Sequence, residues 1–291
     1  MDAEKADYSI RRMAELLRVS RSGFYDWVRR EVAPPSPAQQ RRAVLTERII
    51  ALHAESDHVY GSPRILADLR ADGQTVSAKT VAKLMRASGI TGISPRAFTP
   101  VTTLPGPDPQ PLPDLVGRVF DRGELNAVWT SDVTYLRTDE GWLYLCAVRD
   151  GCSRRVVGWA VEDHLRTDLV ETALRRAVTL RGTFPGKVIF HADRGCQFTS
   201  RQLADAAKDL PILQSVGRTG VCWDNAAAES FFSTLKTEFY NRYRWATKSA
   251  AKRAVGRWIE ERYNRLRRHS SIGMLSPVRF EDHLHQAAQA A

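Results

Sequence analysis

The sequence predicts an α/β domain on a mixed five-stranded sheet, preceded by all-α units, and three observations lead there. Apolar residues recur at helical spacing through the first hundred positions. A proline-dense stretch, "PVTTLPGPDPQPLP", then interrupts the chain, with six of the 14 prolines between Pro100 and Pro113. Beyond it come short β-branched and aromatic runs with tight turns, the pattern of strands.

The first helical stretch is "YSIRRMAELLRVSRSGFYDWVRR", with Ile10, Met13, Leu16 and Leu17 on one face. Val19 fills a turn, Ser20 is positioned as an N-cap, and Trp27 and Val28 belong to a second helix. This is the outline of a helix-turn-helix, in which Arg21 and Ser22 stand at the exposed start of the second helix, where base contacts are made. An ordinary helical hairpin has the same pattern. After "VAPPSPAQQ" comes "GSPRILADLRADGQTVSAKTVAKLMRASGI", with Ile65, Leu66 and Leu69 along one helix, closed by Ala71-Asp72-Gly73. Ser77 caps a second helix carrying Val81, Leu84 and Met85, and Gly89 follows its end. Lys79, Lys83 and Arg86 share one face of that helix, either as a solvated charged face or as a surface for DNA phosphates. Two such units in tandem favour DNA binding.

The third region reads as three successive strands, "NAVWTSDVTYLRT", "GWLYLCAVRDG" and "RRVVGWAVEDH". Helix "TDLVETALRRAVTL", strand "KVIFHA", helix "SRQLADAAKDL" and strand "PILQSV" follow. Such an order makes a mixed sheet. From Asp224 the chain is mostly helical. The expected divisions are a first helix-turn-helix over 1–32, a linker over 33–45 and a second helix-turn-helix unit over 46–99. A Pro-rich linker over 100–118, an α/β core over 119–265 and a basic extension over 266–291 complete the chain.

Composition narrows the function. Lys and Arg number 43 against 33 Asp and Glu, a net charge of +10 that favours a polyanionic partner. The start is acidic and polar, unlike a secretory signal, and no apolar run is long enough to cross a bilayer. Cys146, Cys152, Cys196 and Cys222 form no C-x-x-C pair, and the seven histidines complete no zinc pattern, so reduced thiols in a cytoplasmic protein are expected.

Three carboxylates stand out. Asp193, in "HADRGCQFTS", follows the fourth strand, at the end where α/β sheets present ligands. Asp132 lies in the first strand, and Glu229 lies just over a turn into a helix that Asp224 or Asn225 can cap. Together they would repel one another unless divalent cations neutralised them, and carboxylates are what Mg²⁺ selects. Asp150 is expected to close a turn, and Glu238, nine residues after Glu229, to face away. Lys236 shares the face of Glu229, either as a contact to DNA phosphate or as a solvated lysine. His191 is either a hydrogen-bonding neighbour of the site or a core-edge histidine, and Gly195 permits a tight turn or close approach to phosphate. Asn225 lies one turn before Glu229, as a cap or a DNA contact. Arg262, Arg265 and Arg268 in "ERYNRLRRHSSIG" recur at i, i+3, i+6 and are read as a DNA-facing extension, the alternative being a solvated basic helix.

"HADRGCQFTS", "CWDNAAAESFFSTLKTE" and "HSSIGMLSPVRFE", in that order, resemble the transposases of the IS-three family of insertion sequences (OrfB type). "WTSDVTYL" and "YGSPRILADL…VSAKTVAKLMR" match further motifs, and 35 residues separate Asp193 from Glu229. The resemblance implies a ribonuclease-H-like integrase core of the retroviral-integrase DDE superfamily. It also implies two Mg²⁺ ions held by Asp132, Asp193 and Glu229, with Mn²⁺ able to substitute. DNA nicking and strand transfer at terminal inverted repeats would follow, with target double-stranded DNA as the second substrate. Further implications are a homo-oligomer on paired ends, a nucleoid-associated bacterial location and an upstream-frame protein as fusion or partner. No heptad pattern of such a partner occurs here. The rival readings are a domesticated, non-catalytic DNA-binding regulator and a ribonuclease-H-like nuclease.

Overall fold

The computed structural model of the protein describes residues 1–94, 112–183, 186–217 and 226–290. Helices α1 (Ile10–Leu17) and α2 (Arg21–Val32) form the first pair, and Ser9 and Ser20 cap them by accepting from the Arg12 and Gly23 N–H groups. Burial along them is confined to Met13 and Ala14. Leu16, Leu17, Val19 and Trp27 are exposed rather than packed, because among the described residues no third layer covers these two short helices.

The expected linker over 33–45 is shorter than its prolines suggested. Helix α3 (Pro37–Glu55) begins inside it, with Pro37 in the first turn and a reciprocal Ser36–Gln39 capping box. Helices α4 (Ser62–Ala71) and α5 (Ala78–Ala87) complete a three-helix unit, with Ser77 capping α5 as its sequence indicated. Leu45, Ile49 and Leu52 of α3 pack with Ile65 and Leu69 of α4 and Val81 and Met85 of α5 in one apolar core. This unit therefore has the interior that α1 and α2 lack.

The α/β region contains strands β1 (Val128–Thr138), β2 (Gly141–Asp150) and β3 (Val156–Glu162), then helix α6 (Thr167–Arg181) and strand β4 (Val188–Ala192). Helix α7 (Arg201–Lys208), strand β5 (Ile212–Val216) and helices α8 (Ala226–Glu238), α9 (Lys248–Arg257) and α10 (Pro277–Ala290) follow. The sheet order is β3-β2-β1-β4-β5, antiparallel within β1–β3 and parallel for β1 with β4 and β4 with β5. Side chains alternate across it. Trp129, Cys146 and Val148 face a layer that includes Leu169, Ala173 and Leu203 of α6 and α7. Leu136, Leu143, Leu145 and Ala147 face Phe231, Leu235 and Val255 of α8 and α9. Gly158 in β3 lets α6 lie close, since a Cβ there would run into the backbone at Ala173 and Ala177.

Two boundaries move. Part of the Pro-rich linker lies outside the described residues, but its last stretch belongs to the core. Val216 N–H donates to the Pro113 carbonyl (3.1 Å), Leu115 N–H donates to Ser215 Oγ (2.9 Å), and Val116 is buried. Nor is 266–291 a free basic arm. Glu281 of α10 is buried and accepts from Ser153 Oγ (2.6 Å), Arg155 Nη1 (2.6 Å) and Arg181 Nη2 (2.6 Å), which fastens α10 to the α/β core. Those guanidiniums hold its carboxyl below the usual range against the opposing effect of burial.

Candidate active site

Sheet register brings the first two carboxylates together. Strand β1 pairs with β4 as Val128 with Ile189, Trp129 with Phe190 and Thr130 with His191. Two residues further along both segments come Asp132 and Asp193, so the end of β4 leaves Asp193 level with Asp132. Asp193 then turns the chain, its Oδ1 accepting from Gly195 N–H at 3.0 Å. A Cβ on Gly195 would sit 3.0 Å from that same oxygen, so glycine serves the tight turn. Asp132 Oδ1 accepts from the N–H of Val133 (2.7 Å).

Helix α8 brings Glu229 in its first turn, seated by Phe231, Phe232 and Leu235 against the sheet. Asp132, Asp193 and Glu229 are all half-buried. Burial first, then the charge of Asp193, push the Asp132 carboxyl well above its ordinary range; Glu229 adds to this, while the Val133 N–H and Lys236 oppose it. Glu229 is likewise raised, by burial and then by Asp193. Asp132 and Glu229 therefore both sense the charge of Asp193, where the end of β4 lies beside the central strand β1. Lys236 is half-buried beside them, lowered by desolvation and partly restored by Asp132. It faces the carboxylates from the same side of α8 as Glu229.

Other expectations resolve individually. Asp150 closes the β2–β3 turn, with Oδ1 accepting from the N–H groups of Cys152 (3.0 Å) and Ser153 (2.9 Å). Glu238 does face away from Glu229. It is buried, bound bidentately by Arg267 (2.7 Å to each oxygen) and contacted by Arg64 (3.2 Å). His191 is buried with Nδ1 against Ser215 Oγ at 2.8 Å, tying β4 to β5. Arg21 and Ser22 are exposed at the start of α2, and Lys79, Lys83 and Arg86 are exposed on the side of α5 away from Val81 and Met85. Asn225, with Asp224 and Cys222, lies outside the described residues.

The arginine face of the tail is not one face. Residues Trp258–Tyr263 form a π-helical turn, 264–266 a turn, and 267–268 are non-helical, so an α-helical period fails there. Arg262 donates to the Glu55 carbonyl (2.9 Å) and lies over Tyr60, and Arg268 pairs with Asp68 (2.5 Å). Arg265 alone of the three is exposed. Sequence reasoning missed Arg64 and Arg267 as partners of Glu238, and no local signal marks them, since both are remote from it along the chain.

Among the described residues, one acidic and histidine cluster is tight enough for its ligand atoms to lie within 4.8 Å of one another: Glu162, Asp163 and His164. Lys252 (2.9 Å) and Lys248 (3.5 Å) already pair its carboxylates, leaving an ordinary surface ion-pair group.

A three-helix unit joined to an α/β core that gathers carboxylates has the outline of a DNA-processing enzyme, and sequence comparisons agree. Residues 39–98 match a family described as an HTH-like domain, and 124–222 and 211–277 match two described as an integrase core domain. The chain is 38% identical over 286 residues to transposase InsF of insertion sequence IS3A from Escherichia coli strain K12, covering 97% of each. It is 33% identical to an insertion element IS600 31 kDa protein from Shigella sonnei, covering 95% of this chain and 100% of that one. Among solved structures, a simian T-cell lymphotropic virus intasome in complex with PP2A regulatory subunit B56 gamma aligns at 14% identity and a TM-score of 0.45, over 80% of this chain and 73% of the other. The chain belongs to the IS3 family of insertion-sequence transposases. Its core is an integrase core domain built on a mixed five-stranded sheet, and its activity is that of a DNA transposase. Among the described residues no helix is long and apolar enough to cross a membrane.

Proposed function

We propose that Asp132, Asp193 and Glu229 are the metal-holding triad with which this transposase nicks the ends of its element and joins them to target DNA. The observation that carries this is their convergence: the central strand β1, the end of its neighbour β4 and helix α8 bring three mutually repelling carboxylates together. Such a donor set fits hard divalent cations, Mg²⁺ or in its place Mn²⁺. Two such ions, when bound, supply activation of an attacking oxygen and stabilisation of a leaving one.

The chain's own residues do the rest. The Gly195 N–H holds the Asp193 carboxylate in orientation, and the Val133 N–H holds that of Asp132. Lys236 offers a positive charge beside Asp132, placed to meet a substrate phosphate. Lys79, Lys83 and Arg86 supply an exposed basic surface for the terminal inverted repeat, with Arg21 and Ser22 on α2 as a second contact. Assembly of several copies on paired ends, with or without an upstream-frame partner, belongs to the same reading.

The test is cleavage and joining of a labelled duplex carrying the element's terminal repeat, with Mg²⁺, Mn²⁺ or EDTA, beside Asp193→Asn and Glu229→Gln. Metal-dependent nicking and joining that both substitutions abolish supports the reading. Specific binding without chemistry under any metal replaces it with a non-catalytic regulator.

A further inference from the structure

We propose that Arg64 and Glu238 form a positioning link through which the DNA-reading helical unit governs the seat of Glu229. The inference rests on the reading that α5 contacts the terminal repeat and that Glu229 belongs to the triad.

Helix α8 carries the two glutamates at opposite ends. Glu229 lies in its first turn and Glu238 is its last residue, about 14 Å further along at 1.5 Å per residue. A short helix packed on the sheet by Phe231 and Leu235 moves as a rod, so what holds its far end affects where its near end lies. The helical unit reaches both polar groups at that far end, the carboxylate directly and the backbone carbonyl through Arg242. Arg64, in the first turn of α4, reaches the Glu238 carboxylate (3.2 Å). Asp57, between α3 and α4, accepts from Arg242 Nη1 (2.7 Å), and the same nitrogen donates to the Glu238 backbone carbonyl (3.0 Å).

Electrostatics gives the Arg64 contact its meaning. Arg267, from the core itself, already satisfies Glu238 with two 2.7 Å bonds. Neutralising Glu238 does not require Arg64. Bringing in a second guanidinium adds a desolvation cost and repulsion from Arg267, and both depress the Arg64 pKa. A charge retained against those costs makes more sense as a connection between elements than as a source of stability. On the other side, α4 and α5 share one apolar core, so the helix bearing Lys79, Lys83 and Arg86 is packed directly on the helix bearing Arg64. From the DNA bound in the proposed reading, the path runs through α5, α4, Glu238 and α8 to Glu229, and its steps within the protein are packed or ion-paired contacts.

The experiment uses the full chain, wild type, Arg64→Met and Arg64→Lys. Each is given two duplexes of equal length, one with the terminal repeat and one with that sequence scrambled. Binding constants, Mn²⁺-supported nicking rates on both duplexes and Tm are measured. Arg64→Met is expected to keep the repeat affinity within about twofold and to keep its nicking of scrambled DNA. The preference in nicking rate for the repeat should fall by about fivefold or more, the lower end of usual coupling strengths. Arg64→Lys should restore part of that preference. An unchanged preference in Arg64→Met overturns the inference, and so does an equal fall of both rates together with Tm, which marks a structural role alone. A wild-type chain that treats the two duplexes alike, including by nicking neither, sinks the underlying functional reading and this inference with it. A wild-type preference that survives Arg64→Met sinks the inference alone.

Discussion

The two ends of α8 hold two acidic environments of opposite character. At its start, Glu229 joins Asp132 and Asp193, and each raised carboxyl there is raised by burial and by its acidic neighbours. At its end, Glu238 is more deeply buried, yet Arg267 and Arg64 hold its carboxyl below the ordinary range against that burial. Burial is common to both ends, and the sign of the neighbouring charge decides the outcome. An acid matched by guanidinium holds the fold together. Acids matched by other acids keep a free energy that a cation can release.

The largest break in this contrast comes from chemistry. Asp193→Asn or Glu229→Gln should lower nicking and joining by about a thousandfold, the scale on which one transition-state electrostatic element is lost. Repeat affinity, measured by gel shift, should remain near wild type. At the other end, Glu238→Gln should cost about 3–5 kcal/mol of stability by leaving Arg267 buried without its counter-charge. Urea unfolding measures it, and a loss under about 1 kcal/mol would contradict the structural role.

A third prediction reverses the sign. In EDTA, Asp132→Asn should raise Tm by a few degrees, because about 1 kcal/mol moves Tm by roughly 2–4 °C in chains of 150–250 residues. Mg²⁺ should raise the wild-type Tm and raise that of Asp132→Asn less, since the variant offers one ligand fewer. A variant less stable than wild type in EDTA would show that Asp132 is matched within the protein.

The pH dependence separates the two ends again, by a smaller margin. Folding raises the values of Asp132 and Glu229, so the folded state binds protons more tightly than the unfolded chain there. Their contribution to stability falls as pH rises from the unfolded carboxylate range through their raised folded values. Glu238 and Glu281 are lowered, so their stabilisation is present above the unfolded carboxylate range and is lost as pH falls through their folded values. Glu238→Gln should flatten the acid limb of a Tm–pH profile, and Asp132→Asn the limb just above it. The smallest expected effect is a control: Arg265→Ala, exposed and outside both clusters, should change stability by no more than about 0.5 kcal/mol. Arg268→Ala should cost more, because it removes the pair with Asp68.

How much of this is legible in the chain follows from the range over which each feature is specified. Strand alternation in "WTSDVTYL", the Ser77 cap and the helical placement of Glu229, Lys236 and Glu238 are local properties, decided within a turn or a few residues. So is the turn-closing role of Asp150. The start of α3 was obscured because its Pro-Ser-Pro prelude reads equally as a linker or as a capped first turn, and only packing of Leu45 and Ile49 shows which. Likewise, "RRHSSIG" contains positive charge without revealing its partners.

By itself, the sequence determined the α/β architecture, the three acidic positions and their resemblance to a transposase core, because periodicity, capping and motif spacing are written along the chain. Only the tertiary structure decided that Arg267 and Arg268 turn inward, that Glu281 locks α10 to the core and that Arg64 reaches the end of α8. The acids that claim these arginines lie 29 residues away for Arg267, 200 for Arg268 and 174 for Arg64. A charge chooses its partner through space, and desolvation makes that choice binding only after folding has brought the two together.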